Sequence, residues 1–122
     1  MADLLLIADC LITDYSSCAG DFALMRRPLF LFQDDIEQYK AGDREFYFDM
    51  DTSPYLRARS QEELERLIEG TDADAAAQNC DRILEFYKTT ESGRAAEETA
   101  KRIADFVEKT GSARKAQHNQ TV

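Results

Sequence analysis

A chain of 122 residues, 43% of them hydrophobic, is sized for one domain with a modest core. Its 24 acidic against 15 basic residues leave a formal net charge of −9. That balance argues against nucleic acid as a partner, because binding it needs clustered Lys and Arg, and it gives no support to an anionic membrane surface. A small phosphorylated ligand stays open, since backbone N–H groups can bind phosphate without net positive charge.

In chain order, residues 3–10 (DLLLIADC) read as the end of a helix or an edge of core. Leu11-Ile12-Thr13 reads as a short buried strand. From Ser16 to Arg26 the apolar positions Ala19, Phe22, Ala23 and Met25 follow helical spacing, with Arg26 and Arg27 suited to the C-terminal dipole. Pro28 stops that helix. PLFLF (28–32) is the clearest strand, apolar on both faces as parallel strands covered by helices are. Strand, helix and strand together predict a βαβ unit with a right-handed crossover.

Residues 33–59 read as irregular, with FYF (46–48) a short strand or an aromatic plug in which Phe46 and Phe48 face the core and Tyr47 faces out. Ser60 with Glu63 forms a capping box for a helix whose buried stripe is Leu64, Leu67 and Ile68, ending at Gly70. A second helix is predicted near 73–88 with Ala76, Cys80, Ile83, Leu84 and Tyr87 on one face, and a third near 94–109. From Gly111 the tail is small and polar, which predicts disorder over 111–122. Two or three strands with about five helices make a thin sheet, so the chain reads as the later part of a larger α/β unit.

Cys10, Cys18 and Cys80 carry no CxxC spacing, which fits reduced thiols and not a disulfide scaffold or zinc site; Cys18 reads as a small core filler. Met1-Ala2-Asp3 lacks the basic start of a signal peptide, and no run approaches the roughly 20 apolar residues of a transmembrane helix. A cytoplasmic location is therefore expected. No cofactor and no metal is implied; Asp34-Asp35 reads as a strand-end loop and not as a cation site.

The corner at the end of the first strand, Thr13-Asp14-Tyr15-Ser16-Ser17 followed by Asp21, concentrates polar groups where open α/β sheets place their ligands. Two readings compete. Asp14 or Ser16 caps a helix and Asp21 is a solvated acid favoured by the dipole, which is the commoner arrangement. Alternatively the Ser pair holds a phosphate and Asp21, one turn on from Ser17, accepts hydrogen bonds from the hydroxyls of a sugar. Neither GxGxxG nor GxxxxGK[ST] is present.

The stretch LLLIADCLITDYSSCAGDFALMRRPLFLF, followed by DDIEQYK, Arg44, FYFD (46–49) and the Glu62-Glu63-Leu64 helix, resembles the CDP-glycerol glycerophosphotransferases of teichoic acid and capsule synthesis over roughly residues 4–107. The resemblance implies an α/β fold with a partial Rossmann-like parallel sheet, the C-terminal half of a glycosyltransferase B type fold, with several C-terminal helices. Residues 1–110 would be a donor-nucleotide-binding domain truncated on its N-terminal side. Ser16 and Ser17 would hold the diphosphate of CDP-glycerol or a related nucleotide-activated donor, Asp21 the ribose, and Thr13 and Asp14 would shape the loop. Glycerol phosphate would pass to an acceptor hydroxyl with release of CMP.

The general base would lie in an N-terminal domain of the same protein, so no catalytic residue is expected in these residues and this chain alone should be inactive. The only histidine, His118, falls in the polar tail. The full-length protein would be cytoplasmic or peripheral at the inner face of the membrane. Pro54-Tyr55-Leu56 departs from the family's Pro-Gly-Pro turn, and Gly93-Arg94-Ala95-Ala96 lacks a hydroxyl that the family often carries there. Two alternatives stand beside this reading: a half-domain for CDP-ribitol or a nucleotide sugar, and a non-catalytic helical interaction module.

Overall fold

The computed structural model describes residues 2–42, 46 and 48–118, with side chains as far as residue 110. The chain forms two compact units, Met1–Thr89 and Thr90–Val122. The first holds α1 (Ala2–Ile7), β1 (Leu11–Thr13), α2 (Cys18–Ala23), β2 (Leu29–Phe32), α3 (Ile36–Ala41), β3 (Leu56–Ala58), α4 (Gln61–Gly70) and α5 (Ala73–Phe86). The second holds α6 (Ala95–His118).

Among the described residues the sheet has three parallel strands in the order β1-β2-β3. Register pairs Thr13 with Leu31 and Leu31 with Arg57, so these three share one face. The predicted parallel strand–helix–strand unit is present, and its second strand is buried on both sides: Leu29, Phe30 and Leu31 are each at most 2% exposed. On one face Leu29 and Leu31 pack with Phe22 of α2 and with Cys80 and Ile83 of α5. Each such fully buried large side chain contributes about 1.5–3 kcal/mol. On the other side α4 packs against β2 and β3.

Four local expectations need correction. The strand at 11–13 is half-buried, with Ile12 48% exposed, because β1 lies at the edge of this sheet and, among the described residues, pairs with β2 alone. The helix after it is short: it ends at Ala23, and Arg26 turns the chain through a positive φ of 55°. Its two arginines serve other helices. Arg27 donates to the Leu6 and Ala8 carbonyls at 3.0 and 2.6 Å, closing the end of α1, and Arg26 pairs with Asp81 of α5 at 2.7 Å. Ile68 is 43% exposed, so the buried stripe of α4 narrows to the half-buried Leu64 and Leu67.

The stretch read as irregular contains both α3 and β3, short elements whose periodicity cannot be told from loop over so few residues. The predicted capping of α4 is present, with Ser60 Oγ accepting from Glu63 N–H; α5 is capped as well, by Asp72 Oδ1, which accepts from Ala75 N–H. The Glu63 carboxylate returns to the Arg59 N–H, one residue before the cap. α6 continues to His118, beyond the end expected near 109. A single Gly111 costs a helix only about 1 kcal/mol, and the Ala-, Arg- and Lys-rich residues after it favour helix.

Candidate functional site

The chain leaves β1 at Thr13 and turns through Asp14-Tyr15-Ser16-Ser17 into α2, beyond the carboxyl ends of β1 and β2. Local hydrogen bonds explain the turn. The Asp14 carboxylate accepts the Tyr15 N–H at 2.6 Å, and Ser16 Oγ accepts the Cys18 N–H at 3.3 Å. Ser17 occupies the N-cap position of α2 but makes no side-chain cap bond. Capping therefore accounts for Ser16 and leaves the Ser17 hydroxyl without a role in the helix. With only six residues, α2 brings a weak dipole, so its contribution to holding an anion is small beside that of hydroxyl and backbone N–H donors at the corner.

Ser16, Ser17 and Asp14 line a cavity of about 580 Å³ whose other walls are mainly aromatic. Tyr15 stacks on Tyr39 with ring centroids 3.7 Å apart and planes 15° from parallel, and Phe46 lies 5.3 Å from Tyr39. On the far wall Tyr55 donates from its hydroxyl to that of Tyr87 at 3.2 Å, and Phe48 meets Tyr87 edge-on. Phe46 and Phe48 are half-buried against the core, as the sequence predicts. Arg44, one of the residues that carry the resemblance, and Tyr47, expected to face out, lie outside the described residues.

The structure does not bring the whole predicted set together. Thr13 and Asp21 are not among the cavity walls. Asp21 is exposed on α2, and Thr13 is half-buried in β1 on the same sheet face as Leu31. Conversely, Tyr15 and Tyr39 are central to the cavity and were not singled out. The signal was the aromatic spacing in DYSS and DIEQY, which points nowhere until α3 is recognised as a helix. Cys18 is half-buried instead of a core filler, Cys80 is fully buried with its Sγ 3.3 Å from the Arg27 carbonyl, and Cys10 is exposed.

The carbonyl of Asp14 accepts a hydrogen bond from the side chain of Gln33 at 3.3 Å. Gln33 is 1% exposed, and its Oε1 has no partner among the described residues. The Tyr15 hydroxyl donates to Asp35 Oδ1 at 2.7 Å. Burial first, then that bond and the negative charge of Asp35, Asp14 and Asp34, push the Tyr15 phenol far above its ordinary value, so it remains a donor. Asp34 and Asp35 are exposed in the turn before α3, and no cluster of His, Cys, Asp and Glu suited to a metal occurs among the described residues. No helix among them is long and apolar enough to cross a membrane.

Comparison with known proteins identifies the setting of this corner. Residues 1–108 match the sequence profile of the family described as CDP-Glycerol:Poly(glycerophosphate) glycerophosphotransferase. The teichoic acid poly(glycerol phosphate) polymerase of Staphylococcus epidermidis is 30% identical over 105 residues, which is 80% of this chain and 14% of that protein. The teichoic acid ribitol-phosphate primase of Bacillus spizizenii is 29% identical over 100 residues, 80% of this chain and 25% of that protein. A structure of the wall teichoic acid polymerase TagF, in a histidine variant soaked with CDPG, superposes with a TM-score of 0.60 at 32% identity, covering 89% of this chain and 27% of that one. The chain thus spans between about a seventh and a quarter of the length of these relatives. Its partial Rossmann-like parallel sheet is that of the polymerase fold, and the chain belongs to the CDP-glycerol glycerophosphotransferase family.

Proposed function

We propose that this chain is the donor-binding part of a transferase that moves glycerol phosphate from CDP-glycerol to an acceptor hydroxyl in teichoic acid or capsular polymer synthesis. Ser16 and Ser17 hold the diphosphate, Asp21 takes the ribose hydroxyls, and Thr13 and Asp14 shape the loop. The observation that carries the reading is the Ser17 hydroxyl: it stands at the carboxyl end of a parallel strand in a chain of this family and does no work for its helix.

Sheet topology supports the same placement. Three parallel strands in sequential order make one half of a doubly wound sheet, and ligands of such sheets bind in the crevice where strand order reverses. Here that crevice lies beside the free edge of β1, next to the Ser pair. Leu4, Leu6 and Ile7 of α1 and Ile12 of β1 are 48–75% exposed. In this reading they are covered by the N-terminal domain of the same protein, which also supplies the general base. Residues 1–110 then form the donor domain, and 111–122 are not needed for binding. The chain alone turns over no CDP-glycerol. In this reading the full-length protein is cytoplasmic or peripheral at the inner face of the membrane.

The test is an amide NMR titration with CDP-glycerol, with CMP, GDP and inorganic phosphate as comparisons. Shifts centred on Ser16, Ser17 and Asp21, larger for the cytidine donor, support the reading; equal response to all four ligands removes it. A parallel titration with CDP-ribitol separates the two donors, since relatives named for glycerol and for ribitol phosphate both match this chain.

A further inference from the structure

Three anchors converge on the two residues that precede the Ser pair, and all three come from one stretch of seven residues. Gln33, immediately after β2, donates from Nε2 to the Asp14 carbonyl. Asp35 accepts the Tyr15 hydroxyl at 2.7 Å. Tyr39 of α3 stacks on the Tyr15 ring at 3.7 Å. The stretch is itself braced: the Gln33 N–H donates to the Ala58 carbonyl of β3 at 2.8 Å, and the Tyr39 N–H to the Asp35 carbonyl at 2.9 Å. The frame therefore runs from the third strand, through the end of the second, to the corner after the first.

The hydroxyls that follow are held far less. Ser16 Oγ has one long bond to the Cys18 N–H, and Ser17 makes none to its helix. Where they point is set by the backbone entering the corner. That backbone is fixed by Tyr15, through its ring on one side and its hydroxyl on the other. A pre-oriented pair of hydroxyls loses less conformational freedom on binding than a loose one, so affinity depends on the frame through the hydroxyls it orients.

We propose that Tyr15 is a positioning residue for the donor diphosphate, acting through Ser16 and Ser17, and that Asp35 is its anchor. This rests on the donor-site reading of the Ser pair. The phenol, kept protonated by burial and the Asp35 bond, holds the anchor across the physiological range. Asp35 makes no side-chain cap bond to α3, so removing its carboxylate does not uncap that helix.

The experiment is an NMR titration of this chain with CDP-glycerol for the wild type and for Tyr15→Phe, Asp35→Ala, the pair combined, and Ser17→Ala. Amide exchange and thermal unfolding are recorded on each. Tyr15→Phe retains the stacked ring and Asp35→Ala alters an exposed side chain, so both fold. Each is expected to weaken binding about tenfold, and the combination no further than either alone, as two ends of one bond require. Amide exchange at Ser16 and Ser17 rises in the free variants while that of Phe30 is unchanged, a split that general destabilisation does not produce.

If Tyr15→Phe binds as the wild type does while Ser17→Ala is weakened, the positioning role falls and the donor site stands. If the wild type shows no response, or Ser17→Ala leaves binding intact, the donor-site reading falls and takes the positioning role with it.

Discussion

The Arg57 guanidinium of β3 lies 2.6 Å from the Asp51 carboxylate, and Arg59 and Lys40 converge on the same acid at 3.1 and 4.0 Å. Three cations around one carboxylate is an unusual local balance in a chain of net charge −9. The Arg57 hydrogen bond first, then the charges of Arg57, Lys40 and Arg59, hold the Asp51 carboxyl below the usual carboxylate range. An unfolded Asp titrates near 3.9, so the unfolded chain takes up this proton first as pH falls. The contribution of Asp51 to stability is therefore complete above that value and lost as pH drops through the lower folded one. Asp51→Asn should melt below the wild type at neutral pH, and the difference in melting temperature should close as pH falls below about 4. Thermal unfolding of both proteins across this range checks it; a difference independent of pH would show that the carboxylate's charge is not what matters.

A second prediction concerns the end of α5. The Lys88 N–H donates to the Glu85 carbonyl and the Thr89 N–H to the Leu84 carbonyl, both at 2.9 Å, which is the Schellman closure of a helix. That closure requires a left-handed residue, and Lys88 has a φ of 53°. A side chain there costs roughly 1–2 kcal/mol that glycine avoids, less the extra freedom glycine gains on unfolding. Lys88→Gly should raise stability by about 1 kcal/mol, read from urea unfolding. A loss of stability would mean that the Lys88 side chain makes a compensating interaction.

Local patterns were legible in the sequence and long-range placements were not. The buried strand at 29–31, the Ser60–Glu63 cap and the stripe Ala76, Cys80, Ile83 were legible, because each is a local pattern whose period matches its element. The Ser16–Ser17 corner was legible as a concentration of polar groups after a strand. The aromatic frame behind it was not. Tyr15 and Tyr39 are 24 positions apart, and only the parallel pairing of β1 with β2 sets α3 beside the corner. Arg27 misled in the same way: it follows one helix in sequence and closes another in space. Long-range placement defeats a reading built on neighbours.

A third prediction follows from Tyr55, which is 8% exposed and donates its hydroxyl to that of Tyr87. Burial first and then the Tyr87 bond push its phenol well above the ordinary value. A raised folded value means that stability is intact below the unfolded value of about 10 and declines as pH rises beyond it. Tyr55→Phe should flatten this alkaline decline while costing about 0.5–1.5 kcal/mol near neutrality for the lost bond. Unfolding curves near pH 7 and at about pH 11 decide between this and a decline set by other groups.

The Ser pair itself separates capping from binding. Ser16 Oγ accepts the Cys18 N–H, so Ser16→Ala should cost about 0.5–1 kcal/mol of stability. Ser17 makes no cap bond to α2, so Ser17→Ala should change stability by less than about 0.5 kcal/mol. In the proposed donor site both hydroxyls meet the diphosphate, so both variants should weaken CDP-glycerol binding, and Ser17→Ala should do so without a stability cost. Paired unfolding and titration measurements on the two variants test this. Were Ser17→Ala to lose stability and leave binding unchanged, the corner would be a helix start and nothing more, and the diphosphate would have to lie elsewhere in the family's cleft.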